Sequence, residues 1–457
     1  MKSAFLLGNK IAKQLYDGVA SLPIIDYHNH LSVEDISNNK RFYDVYDLWI
    51  KPDPYKHRAM RMCGVEEKYI TGDASKEEKF LKWAEVLPKL QLNPLSHWSA
   101  MELERVFGIK ELLNAQNAKN IYAQCNLYLK NNTVTVASLL ELFQVEYACP
   151  CQSLIDDIRC FVGDKRFSPS LRGDDIVLPT KRFLEQLEQT TQIKINSLVD
   201  FEKAVEKRLV DFQEVGCRFT DHALDDGFVF YADDGKNERR FQSLLLGEIS
   251  REDQDKLRSY ILVYLASLYA KYNFVLQLHI GAQRYTSTRL RNCVGPAGGF
   301  AGIGNSVNIS ALTRFLDAVE STKYGLPKIL LFTLNPADNA LISVLSGSYA
   351  KDGVKGLITQ GPAWWWCDHK LGIVDMLENT STFGVLSNFI GMTTDSRSFL
   401  SFVRHDYFRR ILCDWLATKY ENGEILCPLE DLQKLTIDLC YNNAKKILQK
   451  EKGGQNV

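Results

Sequence analysis

Directly after the apolar stretch Pro23–Ile25 the chain reads Asp26-Tyr27-His28-Asn29-His30. Residues two apart on an extended chain share a face, so His28 and His30 point the same way and can reach one ion. A single histidine is ordinarily a hydrogen-bonded core or surface residue, but a pair at this spacing after a strand reads as metal ligands. Met392-Thr393-Thr394-Asp395-Ser396-Arg397 offers a carboxylate after another apolar run. Two histidines and one carboxylate leave coordination positions open for substrate or water, as catalytic metals require. The competing reading of Asp395 is a helix N-cap, with Ser396, Arg397 and Ser398 beginning the helix.

Further groups sit at similar places. His279 ends Val275-Leu276-Gln277-Leu278-His279-Ile280-Gly281, where the alternative is a hydrogen-bonded core histidine. Arg172 and Arg397 suit two-point recognition of a carboxylate, although either one alone is more often a surface ion pair. Asp221-His222 is a polar pair after an apolar run, and Trp364-Trp365-Trp366 supplies flat surfaces, expected to divide between site wall and core. Cys149 and Cys151 form a C-x-C without a second half, which reads as a buried strand end rather than a zinc site.

These groups must be brought together by the elements that carry them. Eight short apolar runs recur: Pro23–Tyr27, Phe143–Ala148, Asp175–Pro179, Cys217–Asp221, Phe274–Ile280, Lys328–Leu334, Lys355–Gln360 and Asn388–Thr393. Helical periodicity separates them, the pattern of parallel βαβ units, and eight such units close a (β/α)8 TIM-type barrel more naturally than an open sheet. In a barrel the C-terminal strand ends meet on one face, which would gather the polar groups. More than a hundred residues separate the first run from the second, so a helical insertion is expected at about 34–137, with helical patterns at Lys76–Val86 and Asn117–Lys130. The whole chain, 1–457, is read as a single domain, with a frayed tail at Gln449–Val457.

Composition narrows the partners. With 45% hydrophobic and 24% charged residues the 457-residue chain suits one large globular core. A formal net charge of -1, from 55 Lys plus Arg and 56 Asp plus Glu, gives no field favouring nucleic acid or an anionic membrane. No signal sequence and no run of about 18 apolar residues is visible, and the 11 cysteines are scattered, so a cytoplasmic protein with reduced thiols is expected.

Several blocks resemble the uronate isomerase family of the amidohydrolase superfamily, nearly end to end. They are Leu22–Leu31, Tyr55–Arg61, Gln277–Ala282, Leu334-Asn335-Pro336, Gly391–Phe399 and Arg404–Cys413. The resemblance implies a (β/α)8 barrel, one divalent metal, commonly zinc, and aldose–ketose isomerisation of D-glucuronate to D-fructuronate and of D-galacturonate to D-tagaturonate. It places the metal on His28, His30 and Asp395. Catalytic and substrate-holding positions fall on Tyr55, Arg172, His279, Trp364 and Arg397, with His57 as a further substrate contact. The expected partner is a small-molecule uronate, and a homo-oligomer is expected.

The reaction needs a base for the C2 proton and an acid for the enediol oxygens. Asp395 is the candidate base, unless metal ligation claims it, and Tyr55 is the candidate donor. The chain departs from the family after the second strand, where Thr-Thr-Asp-Asp-Pro is usual and Cys149-Pro150-Cys151-Gln152-Ser153 stands here. Ala297 and Ala301 replace usual acids, and Gly173 replaces a proline after Arg172. Two rival readings are a hydrolase of the superfamily, which often uses a fourth-strand lysine that Thr220-Asp221-His222 lacks, and a non-catalytic sugar-acid binding protein.

Overall fold

The computed structural model describes residues 4–163 and 165–449; all of the expected frayed tail except Gln449 lies outside them. Seven parallel strands form one curled sheet in the order β1 (Ile24–Asn29), β2 (Val145–Ser153), β3 (Ser170–Arg172), β4 (Phe219–Leu224), β5 (Val275–Ile280), β8 (Lys328–Thr333) and β9 (Ile358–Gln360). A small antiparallel pair, β6 (Ala282–Gln283) and β7 (Gly302–Ile303), lies just beyond β5. β1, β4 and β5 are buried along their whole length, as strands covered on both faces must be.

Two expected strands are corrected. The run Asp175–Pro179 is not extended: Asp174–Val177 is a helical turn, and the strand is Ser170–Arg172 just before it. Two aspartates in a first turn favour a helix N-terminus, and periodicity alone does not separate a short buried helix from a short strand. The eighth run, Asn388–Thr393, is not a strand either; Leu386–Asn388 is a 3-10 turn followed by irregular backbone. Gly391 (φ 91°) and Asp395 (φ 47°) are left-handed, which interrupts any regular ladder. The segment nevertheless lies along β1. Asp395 N–H donates to the His28 carbonyl (3.1 Å), His30 N–H to the Ser396 carbonyl (2.8 Å), and the Tyr27 hydroxyl to the Gly391 carbonyl (2.9 Å).

An inner cluster joins Ile25, Tyr27, Cys149, Phe219, Leu330, Phe332 and Ile390, residues of β1, β2, β4, β8 and that segment. A larger cluster, running from Leu7 to Leu439, packs the helices around it. The segment between β1 and β2 is helical, as expected, and includes Lys76–Val86 and Ala118–Asn131; Ser75 and Glu78 close a capping box on the first of these. Among the described residues no helix is long and apolar enough to cross a membrane.

Candidate active site

The polar groups gather just beyond the inner cluster, at the C-terminal ends of the strands. His28 is buried at the end of β1, and His30 follows one residue beyond it, with ring centroids 5.3 Å apart. Asp395 Oδ1 lies 3.4 Å from His28 Nε2 and 3.1 Å from His30 Nε2. Burial works to raise the Asp395 carboxyl, but hydrogen bonds from both histidines hold it well below the usual range, so it is ionised.

Asp26 fastens this arrangement. Its carboxylate is fully buried and accepts from Thr394 N–H (2.6 Å), Thr394 Oγ1 (2.7 Å), Thr393 Oγ1 (2.9 Å) and Asn29 Nδ2 (3.0 Å), with His405 Nε2 at 3.3 Å. One side chain of β1 therefore adds to the few backbone bonds that join β1 to the segment bearing Asp395. The left-handed backbone at Asp395 is an uncommon conformation for a residue with a side chain, and it is held where the carboxylate meets both histidines.

Two further groups belong to the cluster. Cys151 Sγ, at the end of β2, is 3.6 Å from His28 Nδ1 and 4.0 Å from Nε2, and it donates to Asp221 Oδ1 of β4 at 3.5 Å. His279, from β5, lies against His28 with ring centroids 4.6 Å apart, stacks on Phe332 and meets the edge of Trp364; its buried Nε2 has no partner. Burial and the neighbouring His28 keep the His279 imidazole neutral, well below its ordinary value. Burial also acts to lower His28, but Asp395 and Asp221 outweigh it and raise that ring.

The donors fit a metal. Around an ion with bonds of about 2.0–2.2 Å, neighbouring tetrahedral ligands stand roughly 3.3–3.5 Å apart. The 3.4 Å from Asp395 to His28 falls in that range and the 3.1 Å to His30 lies just below it. The ligand atoms of His28, His30 and Cys151 lie within 4.8 Å of one another, and so do those of His28, Asp221 and His279.

Tyr55 arrives from the helical insertion. Asp53 starts the helix Pro54–Met62 by accepting from the Tyr55 N–H (2.9 Å) and Lys56 N–H (3.3 Å), with Pro54 at the first position. The Tyr55 ring packs edge-on to Trp98 and Trp366, under the Arg404 guanidinium at 4.8 Å, and its buried hydroxyl has no partner. Burial raises the phenol well above its ordinary value; Arg404 opposes this, while Asp395 and Asp368 add to it, so it remains a donor. Arg404 also donates to the Thr394 carbonyl (3.1 Å) and faces buried Asp368 (3.5 Å).

Arg172 ends β3 with its guanidinium a third exposed and held by Asp174 at 3.0 Å. Arg397 is exposed two residues beyond Asp395. Trp364 is buried beside His279, while Trp365 and Trp366 are half-buried and stacked. His57 sits on the Tyr55 helix, but the charges around it are Asp53, Arg61, Glu67 and Lys56 rather than the histidine group, and burial lowers it to about 4. Sequence reasoning did not assign Asp26, Cys151, Asp221 or Arg404 to the site. Cys151 and Asp221 carried a signal, a polar or thiol group at a strand end, whereas Arg404 had none apart from lying in a family block.

A sequence model described as glucuronate isomerase matches residues 1–448. The uronate isomerase of Geobacillus thermodenitrificans is 40% identical over 97% of this chain and 97% of its own length. That of Caldanaerobacter subterraneus is 38% identical over 98% and 99%. The crystal structure of uronate isomerase from Thermotoga maritima superposes with a TM-score of 0.91 at 28% identity, covering 98% of this chain and 99% of that one.

Proposed function

The chain belongs to the glucuronate isomerase family, and from that premise we propose that it interconverts D-glucuronate with D-fructuronate, and D-galacturonate with D-tagaturonate, at the His28–His30–Asp395 cluster. The observation that carries the reading is the ionised Asp395 carboxylate placed against both histidines, with its charge also felt by a protonated, unpartnered Tyr55 phenol. His28, His30 and Asp395 would hold one divalent ion, with zinc the best match to imidazole and carboxylate donors. Such an ion, when bound, would polarise the carbonyl and hydroxyl oxygens of the substrate.

The chain's own groups do the rest. Asp395 takes the proton from C2 while Tyr55 supplies one toward O1, giving an enediol; return of a proton to C1 and loss of one from O2 completes the ketose. Ligation would reduce the basicity of Asp395, so the base role falls to the carboxylate oxygen not engaged with the ion. His279, kept neutral, can pass or accept a hydrogen bond without adding charge. Arg172 and Arg397 would grip the substrate carboxylate, Trp364 would bound the pocket, and the cluster's depth keeps water from the enediol.

The segment Ile390–Asp395 fastened along β1 supports reading the sheet as a (β/α)8 barrel whose eighth member is irregular, with the whole chain as one domain and residues 34–137 as its insertion. A hydrolase of the same superfamily often places a lysine on the fourth strand, and β4 (Phe219–Leu224) has none. A coupled assay for ketose formation tests the function: turnover of glucuronate or galacturonate is expected, and failure to convert either would refute it.

A further inference from the structure

We infer that Cys151 is a fourth protein donor to the ion held by His28, His30 and Asp395, making the centre a two-histidine, carboxylate and thiolate site. The inference rests on the reading of those three residues as ligands. The polar contacts of the Cys151 thiol are His28 (3.6 and 4.0 Å) and Asp221 (3.5 Å), and its sulfur lies within 4.8 Å of the ligand atoms of His28 and His30. With a metal–sulfur bond of about 2.3 Å and metal–nitrogen of about 2.1 Å, a tetrahedral sulfur–nitrogen edge is about 3.6 Å. The separation from His28 Nε2, 4.0 Å, lies within a few tenths of that edge.

Two observations separate Cys151 from an ordinary core thiol. Cys149, two residues earlier on the same strand, is spent on Tyr147 (3.7 Å) and Ser168 (3.8 Å) inside the inner cluster, whereas Cys151 stands half-buried at the rim among donor side chains. On the other side of the cluster, against the same His28, the buried His279 Nε2 has no partner in the protein, as expected of a pocket built for a ligand. Binding would exchange the thiol proton, released to solvent, for a sulfur–metal bond, with no change in oxidation state. A thiolate shifts preference toward zinc, cobalt and cadmium and away from magnesium and manganese.

The test uses the full chain loaded with cobalt(II), compared with Cys151→Ser, Cys151→Ala and the double variant His28→Ala/His30→Ala. The native protein should bind one cobalt per chain with a near-ultraviolet sulfur-to-cobalt charge-transfer band. Both Cys151 variants should lose the band while still binding, and zinc affinity by chelator competition should fall at least on the order of 10-fold. The band is read in the native protein, so the inference does not depend on a variant folding. Cobalt that binds and is lost in the histidine double variant, but shows no sulfur band in the native protein, overturns the thiolate and leaves the three-residue site standing. Cobalt content unaffected by the histidine changes overturns both.

Discussion

Gly173→Ala should damage both stability and substrate affinity through a single collision. The Gly173 backbone (φ -95°, ψ 0°) is open to alanine, so space alone decides. A Cβ there would lie 2.0 Å from His222 Cε1, 2.4 Å from Nε2 and 2.7 Å from Nδ1. Ordinary carbon contacts begin near 3.5 Å, so something must give by about 1.5 Å. His222 is 1% exposed and held by the Tyr269 hydroxyl at 2.8 Å, and Gly173 N–H donates to the Asp221 carbonyl at 2.9 Å in the β3–β4 pairing. Overpacking of this kind costs about 1–3 kcal/mol. The strand end that moves carries Arg172, and a displacement near 1 Å in a positioning residue costs up to about 100-fold in kcat/KM. Urea unfolding and kcat/KM for glucuronate are the assays. If the ring is the obstacle, adding His222→Ala should recover at least about 1 kcal/mol of the alanine penalty as a non-additive term. An unchanged urea midpoint for Gly173→Ala, or strict additivity in the double variant, would refute the reasoning.

Three other outcomes follow from the same geometry. Tyr55→Phe removes a buried hydroxyl with no protein partner, so unfolding should be unchanged or slightly harder while kcat falls roughly 100-fold or more; equal losses in both would make Tyr55 structural. Arg172→Lys should cut kcat/KM for uronates by about 10- to 100-fold and leave the poor turnover of glucose alone, which parallel kinetics on the two sugars would show. Burial, helped by Asp395 and opposed by Arg404, raises Asp368 from 3.8 to about 7. A carboxyl raised on folding favours the native state below its unfolded value, and that contribution fades as pH climbs through about 7. Urea titrations from pH 4 to 7 should therefore show wild type losing up to about 4 kcal/mol relative to Asp368→Asn, and parallel curves would contradict the assignment.

Much of the site was legible because residue type at a strand end is a local property. His28, His30 and His279 stood there in the sequence, Asp395 stood after a further apolar run, and the structure brings the four into one cluster. Groups that depend on which strands are neighbours were harder to read. Cys151 touches His28 because β2 pairs with β1, and its bond to Asp221 spans from β2 across β3 to β4. Arg404 reaches Tyr55 only because an insertion helix and a late helix meet over the strand ends. The third strand was misplaced because a short apolar stretch before Pro179 suits a helical turn as well as a strand. The eighth failed because Leu386–Asn388 closes a 3-10 turn and Gly391 is left-handed, and neither is compatible with a ladder.

Substrate deuterated at C2, turned over by the native protein and by Asp395→Asn, tests most directly whether Asp395 moves the proton. At least partial washout of the label, entry of solvent hydrogen at C1, and a large loss of rate in a variant that still binds its metal are expected. Complete retention of the label, together with a metal-loaded Asp395→Asn protein that remains active, would contradict that role.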